Sequence, residues 1–205
     1  FDIYPVVHDR PEVSGKLWYV AAGVERLIKW TGGKKPVWNC LECTRISHPT
    51  AKPTPAQLRA EAWMSIIHGS RGLIWVVHEW KPRFNESALL EDPPTLEAVT
   101  GINKEIIRLA PVIYSPAIRG VVSVKSSTPT VPIAFMPRSY DGTLHLFAVT
   151  MRSGETEAEF KLTHEFNNAE VEVIGENREL NVQGGFFTDH FTDWQVHLYK
   201  IKPAS

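Results

Sequence analysis

The chain has 205 residues, 43% hydrophobic and 22% charged, a composition that suits one large or two small folded domains and excludes a disordered polypeptide. A formal charge of -1, without a basic stripe or Lys/Arg run, gives no electrostatic footprint for nucleic acid or an anionic membrane, and no apolar run approaches the ~20 residues a membrane span needs. Neutral partners are expected.

The first five residues, Phe1-Asp2-Ile3-Tyr4-Pro5, read as the end of a buried strand, and because the chain starts at Phe rather than Met, a removed leader is compatible with it. Leu17, Val20, Ala21, Val24, Leu27 and Ile28 then recur at helical spacing up to Trp30, with Gly32-Gly33 as a stop. Lys35 to Glu42 is a short, mostly apolar run in which Pro36 is tolerable only at the strand's start, so it reads as a buried strand ending in a carboxylate. Thr54-Pro55-Ala56-Gln57 supplies an N-cap, a proline at the first helical position and a capping-box glutamine for a helix from Leu58 to His68. Gly72 to Trp80 is a second continuous apolar run, as expected of a strand covered on both faces, and a third helix is predicted at about Thr95 to Ala110.

After Pro111 short strands alternate with turns: Val121 to Lys125, Ile133 to Met136, Leu144 to Thr150, Glu157 to Leu162, Glu170 to Ile174, Arg178 to Val182 and Gln195 to Ile201, with Tyr140-Asp141-Gly142 as a hairpin-type turn. The predicted architecture is thus α/β plus all-β. Residues 1–118 form three strand-helix units of a parallel barrel, and residues 119–205 form a small antiparallel β-sandwich. Three units cannot close a barrel of eight, so an upstream barrel half or another copy is expected to cover the exposed edge.

The loops after the second and third strands are long and those after the helices short, which puts functional groups at the carboxyl ends of the strands. Glu42 sits there, although a lone strand-end glutamate is also what a solvated carboxylate, or one paired with Arg45, looks like. His78 and Glu79 have opposite parity on a regular strand, so one of them should face the cleft. Cys40 and Cys43 have C-x-x-C spacing, but no helix opens beside them and only His48 lies near as a further zinc ligand, so packed thiols are the simpler reading and neither metal nor cofactor is expected. Phe186, Phe187, Phe191 and Trp194 read either as a carbohydrate-stacking patch or as core, with core the expectation.

Lys35-Pro36-Val37-Trp38-Asn39-Cys40-Leu41-Glu42-Cys43-Thr44, set between Asp2-Ile3-Tyr4-Pro5 and Trp75-Val76-Val77-His78-Glu79-Trp80, resembles strands six to eight of the retaining glycoside hydrolases built on (β/α)8 barrels. The Trp18-Tyr19 helix, the Thr54-Pro55 helix with Trp63 and His68-Gly69, and the trailing strands resemble the C-terminal part of bacterial enzymes of the β-galactosidase or cellulase-like type. The resemblance implies a carbohydrate substrate, extracellular or periplasmic action, and Glu42 as the nucleophile that forms a glycosyl-enzyme. It further implies substrate contacts from Asp2, Tyr4, His78, Glu79 and Trp80, with Tyr4 hydrogen-bonded to the nucleophile and Trp80 as the floor under the sugar. The family's acid/base glutamate, usually preceded by asparagine, ends strand four and would lie before Phe1. Asn85-Glu86 offers the same dipeptide but follows strand eight, so Glu86 is expected at most at the substrate rim. A chain lacking the acid/base is expected to be inactive without the rest of the barrel. The alternative is a non-catalytic carbohydrate-binding or scaffolding module.

Overall fold

The computed structural model describes residues 1–203, which divide into two compact units, one up to Glu105 and one from Ile106 onward. In the first, two parallel strands, β1 (Trp38–Glu42) and β2 (Gly72–Val76), pair in register from Trp38 against Gly72 to Glu42 against Val76. Residues 1 and 2 extend this pair on the other side of β1 through a parallel bridge between Asp2 and Cys40, in which Cys40 N–H donates to the Phe1 carbonyl at 2.7 Å. Helix α1 (Tyr19–Trp30) precedes β1, and α2 (Pro55–Ile67) connects β1 to β2. A third helix, α3 (Pro93–Ile113), follows β2 and runs across the division between the units.

Local chemistry explains these elements. Helix α2 begins at the predicted capping box: Thr54 Oγ1 accepts the Gln57 N–H while Gln57 Oε1 accepts the Thr54 N–H at 2.9 Å, satisfying two orphan donors of the first turn. It is buried almost all round, through Leu58, Ala60, Glu61, Ala62, Trp63, Met64, Ser65 and Ile66. Its far end meets Gly69, whose φ of +101° lies in the left-handed region that side-chain-bearing residues rarely adopt. Trp63 Nε1 and the Arg59 guanidinium both donate to the Glu105 carboxylate, tying α2 to α3 within the first unit.

The strand foreseen from Gly72 to Trp80 stops at Val76. Beyond it the chain leaves the parallel ladder and turns back on itself through an antiparallel bridge between Glu79 and Asn85, so strand parity does not decide where His78 and Glu79 point. Neither face of β2 is fully buried, and Ile74 is exposed.

Among the described residues the second unit holds eight strands. β4 (Ile133–Tyr140), β5 (Thr143–Thr150), β10 (Val196–Lys202), β7 (Glu170–Val173) and β8 (Arg178–Asn181) form one antiparallel sheet in the order β4-β5-β10-β7-β8. β3 (Val122–Ser126), β6 (Thr156–Leu162) and β9 (Phe186–Phe191) form a second in the order β3-β6-β9. Asp141 and Gly142, both at positive φ, make the two-residue turn that fixes Tyr140 opposite Thr143. One core lies between the sheets, with Leu144, Leu146, Val171, Tyr199 and Ile201 from the first and Ala158, Phe160, Phe187 and Phe191 from the second. The rings of Phe160 and Phe187 stack at 4.6 Å. β9 is a strand that turn-punctuated reading passed over, because Gly184-Gly185 directly before it reads as loop. Its Phe187 and Phe191 belong to the core, while Phe186 is exposed under Lys161.

Candidate active site

Glu42 closes β1, whose apolar Leu41 and buried Asn39 carry it to the carboxyl end of the parallel pair. There the irregular segment after Pro5 folds over it: the Val6 N–H donates to Glu42 Oε1 at 2.6 Å and the Val7 N–H to Oε2 at 2.8 Å. The segment is itself pinned, since the Pro5 carbonyl accepts the Gly15 N–H at 2.9 Å. Glu42 is 0% exposed. Burial pushes its carboxyl up to about 7, opposed by the Val6 and Val7 amides and by the side chain of Glu61.

Glu61, from α2, was not singled out by sequence reasoning. It is also 0% exposed, neither of its oxygens meets a donor among the described residues, and its carboxyl is held well above the usual range by burial and by the charge of Glu42 beside it. The helical spacing carries a partial signal, since Glu61 lies three residues after Leu58 and four before Ser65 on an apolar or small face, but that signal becomes decisive only once the helix is known to be buried almost all round.

Tyr4 stands apart from the expected arrangement. Its phenol is raised by burial first, then by Asp2, with further contributions from Cys40 and Glu42, while the two hydrogen bonds that hold Glu42 come from main-chain amides. Asp2 is exposed. Cys43 is buried next to Glu42, donates to the Val76 carbonyl at 3.1 Å, and has its thiol pushed up to about 12 by burial; it and Cys40 are both unbridged.

The loop after β2 builds a separate surface. Thr44 Oγ1 donates to the His78 carbonyl at 2.5 Å, Arg45 pairs with Glu79 at 2.8 Å, and the Trp80 N–H donates to the Arg45 carbonyl at 2.8 Å. The return at Asn85 then places three rings side by side: Phe84 stacks within 8° of His78 at 6.0 Å and lies 4.8 Å from Trp80. Trp80 and Phe84 are 54% and 50% exposed. Glu79 is therefore spoken for by Arg45, while His78 and Trp80 present an aromatic patch to which Phe84, unremarked in the sequence, contributes. Glu86 is exposed in the same loop. The structure thus buries Glu42 and Glu61 where each affects the other's ionisation, and sets His78, Trp80 and Phe84 together on one exposed surface.

No protein-family model matches the chain, and no curated protein matches it in sequence. Solved structures do. An α-amylase from Geobacillus thermoleovorans complexed with acarbose superposes with a TM-score of 0.61 at 8% identity, over 91% of this chain and 47% of that one. An Anoxybacillus α-amylase gives 0.54 at 9% identity, over 94% and 47%. A variant of AmyP in complex with maltotriose gives 0.53 at 8% identity, over 97% and 53%. The chain spans about half the length of each of these proteins. At such identities the likeness concerns the fold alone, and that fold is one related to glycoside hydrolases.

Proposed function

We propose that the chain works as part of a carbohydrate-active protein of the retaining glycoside hydrolase type, with Glu42 as its nucleophile. The observation that carries this reading is the placement of a buried, amide-held glutamate at the carboxyl end of a parallel strand, in a fold related to glycoside hydrolases. Two N–H donors favour the ionised carboxylate and fix its orientation, which is what a group attacking an anomeric carbon requires.

Two features make turnover by this chain alone slow. Both Glu42 oxygens are capped by the segment around Val6 and Val7, so attack requires that segment to open. The acid/base expected from the family's strand four has no counterpart in this sequence, and general acid catalysis typically contributes about 10²- to 10⁴-fold. Ordinary glycosides should then be spared, whereas aryl glycosides with a good leaving group, which need no protonation, should release it slowly. Release that continues unchanged in Glu42→Gln would assign the chemistry elsewhere.

A second reading, carbohydrate binding without turnover, is favoured by the sealing of Glu42 together with the open Trp80 and Phe84 rings, since exposed rings stack on the apolar faces of sugars. Titration with maltotriose, the ligand of one structural neighbour, is a direct probe. Quenching of tryptophan fluorescence that survives Glu42→Gln but weakens about tenfold in Trp80→Ala would support it, a loss equivalent to about 1.4 kcal/mol. With the family resemblance as its sole support, we further propose that this action is extracellular or periplasmic.

A further inference from the structure

Two fully buried carboxyl groups in the first unit act on each other's ionisation, and they are not equivalent. Glu42 has both oxygens occupied by backbone N–H groups, so its environment is built for an anion. Glu61 has none: its oxygens meet no donor among the described residues, and the nearby polar side chains are already engaged with each other, Asn39 Nδ2 donating to Ser65 Oγ at 2.8 Å and Ser65 Oγ donating to the Glu61 main-chain carbonyl at 2.7 Å. A fully buried carboxylate without a donor is far more costly than a neutral acid. A neutral acid has one O–H to place, and the acceptor beside it is Glu42.

We infer that Glu61 is a positioning residue for Glu42: it keeps its proton after Glu42 has lost its own and donates it as a hydrogen bond to the Glu42 carboxylate, so that the singly ionised pair carries its negative charge on Glu42. This deepens the reading of Glu42 as a nucleophile and rests on it for its catalytic meaning, but the protonation pattern itself does not. The directions of the two carboxyls agree with it, since the Glu61 side chain lowers Glu42 while Glu42 raises Glu61. The other titratable groups that bear on the site are Tyr4 from the segment over the strand end and Cys43 next in sequence, both raised and therefore neutral around pH 7. Lys52 and Arg45 are felt at Cys43 and Lys52, not among the causes that shift either glutamate. When the last proton leaves, it goes to solvent and the pocket holds two like charges, the costly state that the pair avoids.

The test is a pH titration of the full chain labelled with ¹³C at the glutamate side-chain carboxyls, the two signals assigned with Glu42→Gln and Glu61→Gln. The expected result is that Glu42 ionises first and the Glu61 signal stays that of a neutral acid at pH 7. Glu61→Gln, whose amide N–H replaces the acid O–H, keeps the Glu42 midpoint close to its original position. Glu61→Leu, similar in size but without a donor, raises that midpoint by about one pH unit or more. By reciprocity Glu42→Gln lowers the Glu61 midpoint. An ionised Glu61 at pH 7, or a Glu42 midpoint unmoved by Glu61→Leu, overturns the inference. If the leucine variant does not fold, an unchanged Glu61 midpoint in Glu42→Gln overturns it equally. Because no sugar enters the experiment, its failure is separate from failure of the glycosidase reading, which only hydrolysis assays decide.

Discussion

Burying Glu42 and Glu61 together makes the first unit sensitive to pH in an unusual direction. In an unfolded chain both carboxyls ionise at about 4.3, whereas in the folded protein burial pushes Glu42 up to about 7 and holds Glu61 well above the usual carboxylate range. The native state therefore binds more protons than the unfolded state between these limits, so stability is full below about pH 4 and declines as pH rises through 7. The loss attributable to Glu42 is on the order of 3 kcal/mol. Six of the seven tryptophans lie within residues 1–105, so urea unfolding followed by tryptophan fluorescence reports on this unit. We expect its midpoint to be lower at pH 8 than at pH 5, and the difference to shrink in Glu42→Gln. A midpoint that rises over this interval in the wild type, and is indifferent to Glu42→Gln, would mean that the pair is not held as described. Glu42 was legible in the sequence because it ends an apolar run. Its protonated neighbour was not, because a single glutamate among Leu58, Ala60, Ala62 and Trp63 becomes informative only once the helix is known to be buried on nearly every side.

Among the elements, α2 was the most legible, since capping is a local matter: Thr54 and Gln57 satisfy each other's main-chain donors whatever the rest of the fold does. Thr54→Ala should cost about 1 kcal/mol, read as a lower urea midpoint with an unchanged slope. Strand ends were less legible because they depend on partners. β2 was expected to continue to Trp80, yet its register partner β1 ends at Glu42, opposite Val76, and beyond that point the chain satisfies its amides in the Glu79 to Asn85 return. β9 was missed for a related reason: Gly184 and Gly185 say turn, and only pairing with β6 reveals that the next six residues are a strand. The payoff of that pairing is the aromatic core of the second unit, where Phe160 contacts Phe187, Phe191 and Tyr199. Removing the ring in Phe160→Ala should destabilise this unit by about 3–5 kcal/mol, visible in the loss of β-sheet circular dichroism at lower urea than in the wild type.

Across the whole molecule, the likeness to the α-amylases is one of fold: superposition over nine-tenths of the chain accompanies identities of 8% and 9%. The order of the elements, parallel strand-helix units followed by antiparallel strands, was readable because the hydrophobic period changes after Pro111. The exposed Phe84 and the cover of residues 6 and 7 over Glu42 were not, since both arise from irregular backbone whose course no periodicity announces. The most direct test of the account is the hydrolysis of an aryl glycoside panel, activated and unactivated leaving groups side by side, by the wild-type chain and by Glu42→Gln. The account predicts slow release confined to the activated substrates and abolished by the substitution. Release at the same rate from Glu42→Gln, or no release from any substrate, would contradict Glu42 as a nucleophile and leave carbohydrate binding as the activity of the chain.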